Sequence, residues 1–366
     1  MPRITNRIIN LDTAAGSDNP SSIHVSGVTA ARARAGARAT VAHVLNTHVD
    51  EIIFASGGTE ANNLAIFGLA KGLKKGHIVT TKIEHVSILE PCRPLEREGW
   101  AVTYLPVNHD GLIDLRELAQ ALRPETVLVS IGYANNEIGT IQPLREIAKV
   151  IRQFKKTKSY NLEASPYLHT DGCQAPRFLD CRVSTLGVDL MTLNSGKIYG
   201  PKGAGCLYVR RGINLQPILY GGGQERGRRS GTENVPAIVG FAKALEVCVK
   251  SQEKESARLT KLRDYFIKKL LALPGTTLNG SLDFRLPNNI NVSFADADSE
   301  FVVLNLDVHG VLVSSGSACS AQEKSASHVI AALGGQADNA VRFTLGRDIK
   351  KSDLDYVLKI LPDILK

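Results

Sequence analysis

No stretch of this sequence comes near the run of about eighteen apolar residues that a membrane-spanning helix needs, although 43% of its 366 residues are apolar. The first ten residues are polar and basic and lack the apolar stretch of a secretory signal. A soluble, cytoplasmic protein with no membrane partner is expected. Also missing is any C-x-x-C pair, for Cys92, Cys173, Cys181, Cys206, Cys248 and Cys319 lie far apart. In a chain of this length that spacing argues against a disulfide framework; no zinc-ligand pattern occurs, and no metal is expected. There is no internal repeat, and no low-complexity segment beyond the Ala/Arg-rich residues 30–40, a good helix former. The net charge of +8 is not gathered into a tail or an aromatic-studded stripe. It fits a solvated surface, or a patch for an anionic ligand or acidic partner, better than it fits nucleic acid.

What is present is enough chain for a substantial core, with two domains or one large and one small. Short apolar strands alternate with helical patterns through the first two-thirds. Strands are expected at residues 51–56 (EIIFAS), 78–81, 101–105, 126–133 (TVLVSIGY), 167–170, 190–193 and 204–209, with helices at 61–70, 87–98 and 144–154 among them. Such alternation predicts an α/β fold with a mostly parallel sheet covered on both faces. A long amphipathic helix follows, with Leu259, Leu262, Phe266 and Leu270 on one face. It marks the start of a smaller α+β domain with strands expected at 289–294, 311–314 and 340–345 and a last helix from Ser352. The expected division is a large domain over residues 12–248 and a small one over 1–11 and 249–366.

Several residue patterns carry chemistry. In S-G-G-T-E-A-N, residues 56–62, a strand ends, glycines turn the chain and a helix begins. Gly58 and Thr59 there offer free N–H groups, a hydroxyl and a helix dipole to a phosphate, or form an ordinary capped turn. Lys197 follows an apolar strand and precedes Gly/Pro-rich chain, where a partly desolvated lysine can form a Schiff base; a surface lysine before a turn has the same pattern. Lys202, between Pro201 and Gly203, reads as a loop residue. Asp171 ends the strand Y-L-H-T-D, at the sheet edge where ligands of α/β proteins bind; there it serves as a partner for a protonated pyridine nitrogen or as a helix cap. Gln174 is within reach of the same ligand. His85 follows the strand before it and suits stacking on a flat ring and moving protons, or a satisfied structural role. Arg342, inside an apolar strand, suits a carboxylate or an internal ion pair. Cys319 lies in the small, polar stretch S-S-G-S-A-C-S-A-Q-E-K-S, unlike a buried cysteine, and there can act as a nucleophile once ionised. The other five cysteines read as small buried residues.

These pieces, in this order, resemble the cysteine desulfurases of the class-V aminotransferase group, the NifS/IscS type of fold-type-I pyridoxal-phosphate enzymes. The likeness runs from about Asp12 to the last helix. It rests on N-P-S-S-I-H (19–24), S-G-G-T-E-A-N-N (56–63), N-N-E-I-G (135–139), K-I-Y-G-P-K-G (197–203), G-G-G-Q-E-R (221–226), R-S-G-T-E-N (229–234) and S-G-S-A-C-S (315–320). The resemblance implies a seven-stranded-type sheet between helices, pyridoxal 5'-phosphate as cofactor and L-cysteine as substrate. It gives Lys197 the covalent link to the cofactor, Asp171 the pyridine nitrogen, Gln174 the ring oxygen and His85 the stacking and acid/base role. Gly58 and Thr59 match the phosphate cradle, Thr232 a threonine lent to a neighbouring subunit of a homodimer, and Asn136 and Arg342 the grip on the substrate carboxylate. Cys319 matches the cysteine that receives sulfur as a persulfide. Its loop resembles the type that hands sulfur to an iron–sulfur scaffold or another acceptor protein.

Two departures from that pattern stand out. The family's lysine usually follows Ser-x-His, whose side chains touch the phosphate, and here Asn194 and Gly196 occupy those places. The loss of these contacts costs about 1–3 kcal/mol of anchoring unless Asn194 or Ser195 substitutes. The turn and helix that normally separate the first strand from N-P-S-S-I-H are also missing, which leaves one side of the site more open or for another chain to cover. Alternatives are a selenocysteine lyase or related β-lyase of the same fold, separated by substrate preference, and a catalytically weakened sulfur carrier or scaffold, separated by the cofactor spectrum.

Overall fold

The computed structural model describes residues 11–16, 18–157, 166–295, 297–316, 327–335 and 337–366. The expected Cys319 site lies outside the described residues. Apolar β-rich runs form seven short strands: β1 (Ile52–Ala55), β2 (His77–Thr81), β3 (Ala101–Leu105), β4 (Thr126–Ser130), β5 (Tyr167–Asp171), β6 (Leu190–Asn194) and β7 (Gly205–Val209). They make one sheet in the order β1-β7-β6-β5-β4-β2-β3. Strands β6, β5, β4, β2 and β3 run parallel, and β7 is antiparallel to both β6 and β1. The α/β class and the mostly parallel seven-stranded sheet are therefore as the sequence implied. Strands β1, β2 and β7 are buried along their whole length, which is why they read as unbroken apolar runs rather than alternating ones.

Between and after these strands lie α1 (Val25–Leu45), α2 (Gly58–Ala70), α3 (Val86–Arg97), α4 (Leu115–Ala121), α5 (Leu144–Thr157), α6 (Val183–Leu186) and α7 (Val235–Leu270). In α5 the buried set Leu144, Ile147, Ala148 and Ile151 repeats at helical spacing, so one stripe meets the sheet. One core joins α1, α5 and the first half of α7 to one sheet face, and a second core joins α2 and α3 to the other. Helix α7 is 36 residues long. Its first half ends in the large core at Cys248, and its second half begins another core at Leu259. That core belongs to the antiparallel sheet β10-β9-β8, made of β8 (Thr276–Leu278), β9 (Asn289–Phe294) and β10 (Ala340–Thr344). Helices α8 (Ser299–Val308), α9 (His328–Ala332) and α10 (Lys351–Ile364) complete the chain.

The expected strand at 311–314 is not formed. A single bridge, Ser314 to Arg342, stands in its place, and a short strand unmarked in the sequence, β8, pairs with β9 instead. The expected strand at 126–133 ends at Ser130, because the chain beyond it turns away to line a cleft. Among the described residues no helix is long and apolar enough to cross a membrane.

Candidate active site

The cleft lies at the carboxyl edge of the sheet, where the chain leaves β1, β2, β4, β5 and β6. It encloses about 440 Å³ and is lined by Gly58, Thr59, His85, Asn136, Asp171, Gln174, Asn194, Lys197 and Arg342, among others. Nine residues singled out in the sequence thus come together from six chain segments. Thr232 does not join them. It is exposed, in a separate depression with Ser56, Arg229 and Asn234.

At the β1–α2 junction Gly58 begins the helix and is buried. A Cβ on Gly58 would stand 2.9 Å from Cys173 Sγ and 3.5 Å from Asn194 Nδ2, so any side chain would fill the space above the helix N-terminus. Asn194 caps the short turn that carries Lys197, its Oδ1 accepting from Gly196 N–H at 3.1 Å. That leaves its Nδ2 on the side of Gly57 and Gly58. Lys197 itself is exposed, so the desolvation expected for it is not present.

Asp171 ends β5 half-buried. Its Oδ1 accepts from Cys173 N–H at 2.9 Å and its Oδ2 from Asn62 Nδ2 at 2.7 Å. His85 caps α3, its Nδ1 meeting Ser87 N–H at 3.1 Å and Ser87 Oγ at 2.7 Å. Burial lowers the pKa of His85, against the pull of Asp171. Arg342 reaches from β10 to the carbonyl of Asn136 at 3.3 Å, which places the two expected carboxylate-binding residues side by side.

Several residues in and around the cleft are not marked in the sequence. Glu84 is fully buried; Thr81 Oγ1 donates to its carboxylate at 2.8 Å and Gly132 N–H at 3.0 Å. Burial, aided by Asp171, pushes its pKa up to about 7. Cys173 was read as merely structural; it lines the cleft beside Gly58, and burial raises its thiol far out of the reactive range. Arg177 and Arg347 lie over the ring of Tyr199 at 4.4 and 4.8 Å. Glu84, Cys173 and Arg177 stand outside every string that carries the resemblance, and Tyr199 lies inside K-I-Y-G-P-K-G with no role of its own marked there. Glu137 is buried next to Asn136 and accepts from Ser327 Oγ at 2.6 Å. Ser327 and Gly316 are the described residues that flank the cysteine stretch, and a Cβ on Gly316 would stand 3.7 Å from Glu137 Oε2.

The family model for "Aminotransferase class-V" matches residues 4–357. A curated relative, "Cysteine desulfurase IscS" of Dictyoglomus turgidum, is 46% identical over 95% of this chain and 87% of its own. "Cysteine desulfurase IscS 1" of Archaeoglobus fulgidus is 42% identical over 95% of this chain and 90% of its own. Among solved structures, a "NIFS-LIKE PROTEIN" superposes with a TM-score of 0.86 at 35% identity, covering 95% of this chain and 91% of that one.

Proposed function

The chain belongs to the aminotransferase class-V family, and from that premise we propose that it is a pyridoxal-phosphate-dependent cysteine desulfurase. The observation that carries the reading is the convergence of an amine, a carboxylate, an imidazole and a bare helix N-terminus on one cleft. That donor set fits the cofactor. Lys197 would hold it covalently, Asp171 would face the pyridine nitrogen, Gln174 the ring oxygen and His85 the ring face. Gly58, Thr59 and Asn194 would receive the phosphate, joined by the partner subunit's Thr232 in a homodimer. The space a Gly58 side chain would fill, and an amide of Asn194 turned toward it, support the phosphate assignment. When bound, the cofactor supplies an aldehyde for amines and a ring that takes up the electron pair released at the substrate Cα.

The chain's own residues then act on L-cysteine. Arg342 and Asn136 hold the carboxylate, the guanidinium supplying two parallel donors. Asp171, its carboxylate fixed by hydrogen bonds from Cys173 N–H and Asn62 Nδ2, would be aimed at the ring nitrogen. Cys319 takes the sulfur: its thiolate bonds to the substrate sulfur while the carbon–sulfur bond breaks. In sum L-cysteine and the Cys319 thiol become L-alanine and a Cys319 persulfide, which passes to a scaffold for iron–sulfur clusters or another acceptor. The site serves in the cytoplasm on this reading, and the chain divides into a large domain over 12–248 and a small one formed by 1–11 and 249–366. Lys197→Ala is expected to abolish the visible absorbance of the bound cofactor, and unchanged absorbance would reject Lys197.

A further inference from the structure

Two ionisable side chains of the cleft, Asp171 and His85, are joined by a chain of hydrogen bonds through Asn62 and Ser87. Asn62 sits fully buried on α2. It spends both amide hydrogens, one on Asp171 Oδ2 at 2.7 Å and one on Ser87 Oγ at 2.8 Å. Turned over, its carbonyl would face the carboxylate, oxygen against oxygen, so the charge on Asp171 decides which way the amide points. Asn62 Oδ1 is left buried with no partner in the described structure, as suits an amide kept for its donors. Ser87 Oγ, already accepting from Asn62, has its single hydrogen left for His85 Nδ1 at 2.7 Å, and Ser87 N–H points at the same nitrogen from 3.1 Å. Two donors converge on Nδ1, so Nδ1 carries the lone pair and the ring proton resides on Nε2. Among the described residues Nε2 has no hydrogen-bond partner, and His85 lines the cleft.

We propose that Asn62 and Ser87 are positioning residues that relay the charge of Asp171 to His85, hold its imidazole neutral as the Nε2–H tautomer, and so turn a donor toward the cleft. The chemical consequence rests on the reading of the cleft as a cysteine site. His85 there offers an N–H to an acceptor such as a thiolate or carboxylate, and Nε2 has no lone pair with which to accept a proton. The charged groups facing His85 are Asp171 and Glu137, which favour the imidazolium, and Lys197 and His328, which oppose it; burial outweighs them all. Glu84 adjoins it in the chain. Donors to Nδ1 stabilise only the neutral ring, so their loss raises the pH at which His85 takes up a second proton.

The test is nitrogen-15 NMR of the full chain labelled at its nine histidines, with His85→Gln to identify the signal, recorded before and after addition of pyridoxal phosphate. The cofactor-free wild type is expected to show His85 as the Nε2–H tautomer alone. Ser87→Ala, which leaves only the backbone N–H on Nδ1, and Asn62→Ala are expected to titrate at higher pH than the wild type, and Ser87→Thr, which keeps the hydroxyl, to restore the wild-type signal. His169, buried between Ser130 Oγ and Thr192 Oγ1, reports folding in each variant. An Nδ1–H tautomer in the wild type, or wild-type signals in folded Ser87→Ala and Asn62→Ala, would overturn the proposal. Because the tautomer is read without cofactor, failure of pyridoxal phosphate to bind would reject the functional reading and leave this one standing.

Discussion

At the scale of single residues the cleft makes two demands that can be measured. Gly58 and Cys173 share one small space, since a Cβ on the glycine would meet the sulfur at 2.9 Å. Gly58→Ala is therefore expected to cost about 1–3 kcal/mol by overpacking and to weaken cofactor binding. The double variant with Cys173→Ala should recover most of the stability but not the cofactor binding, because the added Cβ still fills the phosphate space; equilibrium unfolding with a double-mutant cycle reads the coupling. Gly196→Ala, by contrast, should be nearly neutral, because the nearest atoms to its added carbon stand at 3.7 and 3.8 Å. Glu84 carries a pH signature. Its carboxyl is held up to about 7 in the fold against an ordinary 4.5. Between those values the unfolded chain releases a proton that the folded chain keeps, so stability falls as pH rises, and the full penalty is present above about 7. Glu84→Gln mimics the protonated form and should remove that slope, gaining on the order of 1–3 kcal/mol relative to the wild type at pH 8. A melting series from pH 4 to 8 checks it. The residues around which the cleft closes were legible because each ends a strand or opens a helix in a recognisable string. Asn62, Ser87 and Glu84 were not legible in the same way, since the bonds from Asn62 to Ser87 and Asp171 span 25 and 109 residues and that from Gly132 to Glu84 spans 48, and only the folded sheet brings these groups together.

At the scale of elements, a buried ion pair ties α1 to the edge strand β1 beside the cleft. Arg38 on α1 meets Glu225 in two hydrogen bonds of 2.6 and 2.8 Å, and Glu225 also accepts from Phe54 N–H of β1 at 2.9 Å. Glu225 and its neighbour Arg226 both adopt left-handed backbone, with φ of 47° and 60°, to make these contacts. Arg38→Ala leaves a buried carboxylate unpaired and should cost about 3–5 kcal/mol, read by urea unfolding. The order of strands and helices through the large sheet was legible from apolar period and turn residues. The antiparallel course of β7 was not, because a short buried run has the same composition in either direction. Residues 311–314 have β-branched, apolar composition and still make only one bridge, to Arg342 on the outer edge of β10.

At the scale of the whole molecule, the account calls for a second copy. Thr232 is exposed and away from the cleft of its own chain, and Ile23 and Tyr220 are left 97% and 74% exposed, which suits surfaces that another subunit covers. Sedimentation should give a dimer. Thr232→Ala should weaken cofactor affinity roughly ten- to 150-fold, the loss of about 1.5–3 kcal/mol expected for a hydrogen bond to a charged group. A mixed dimer of Thr232→Ala with Lys197→Ala should then pair the intact lysine with the intact threonine in one of its two sites. The central claim, that sulfur leaves L-cysteine for Cys319, is tested most directly by giving the cofactor-loaded chain L-cysteine and measuring two products together. The account predicts alanine release accompanied by one added sulfur atom on the Cys319 peptide, with both lost in Cys319→Ala. Alanine release that continues undiminished in Cys319→Ala would contradict it.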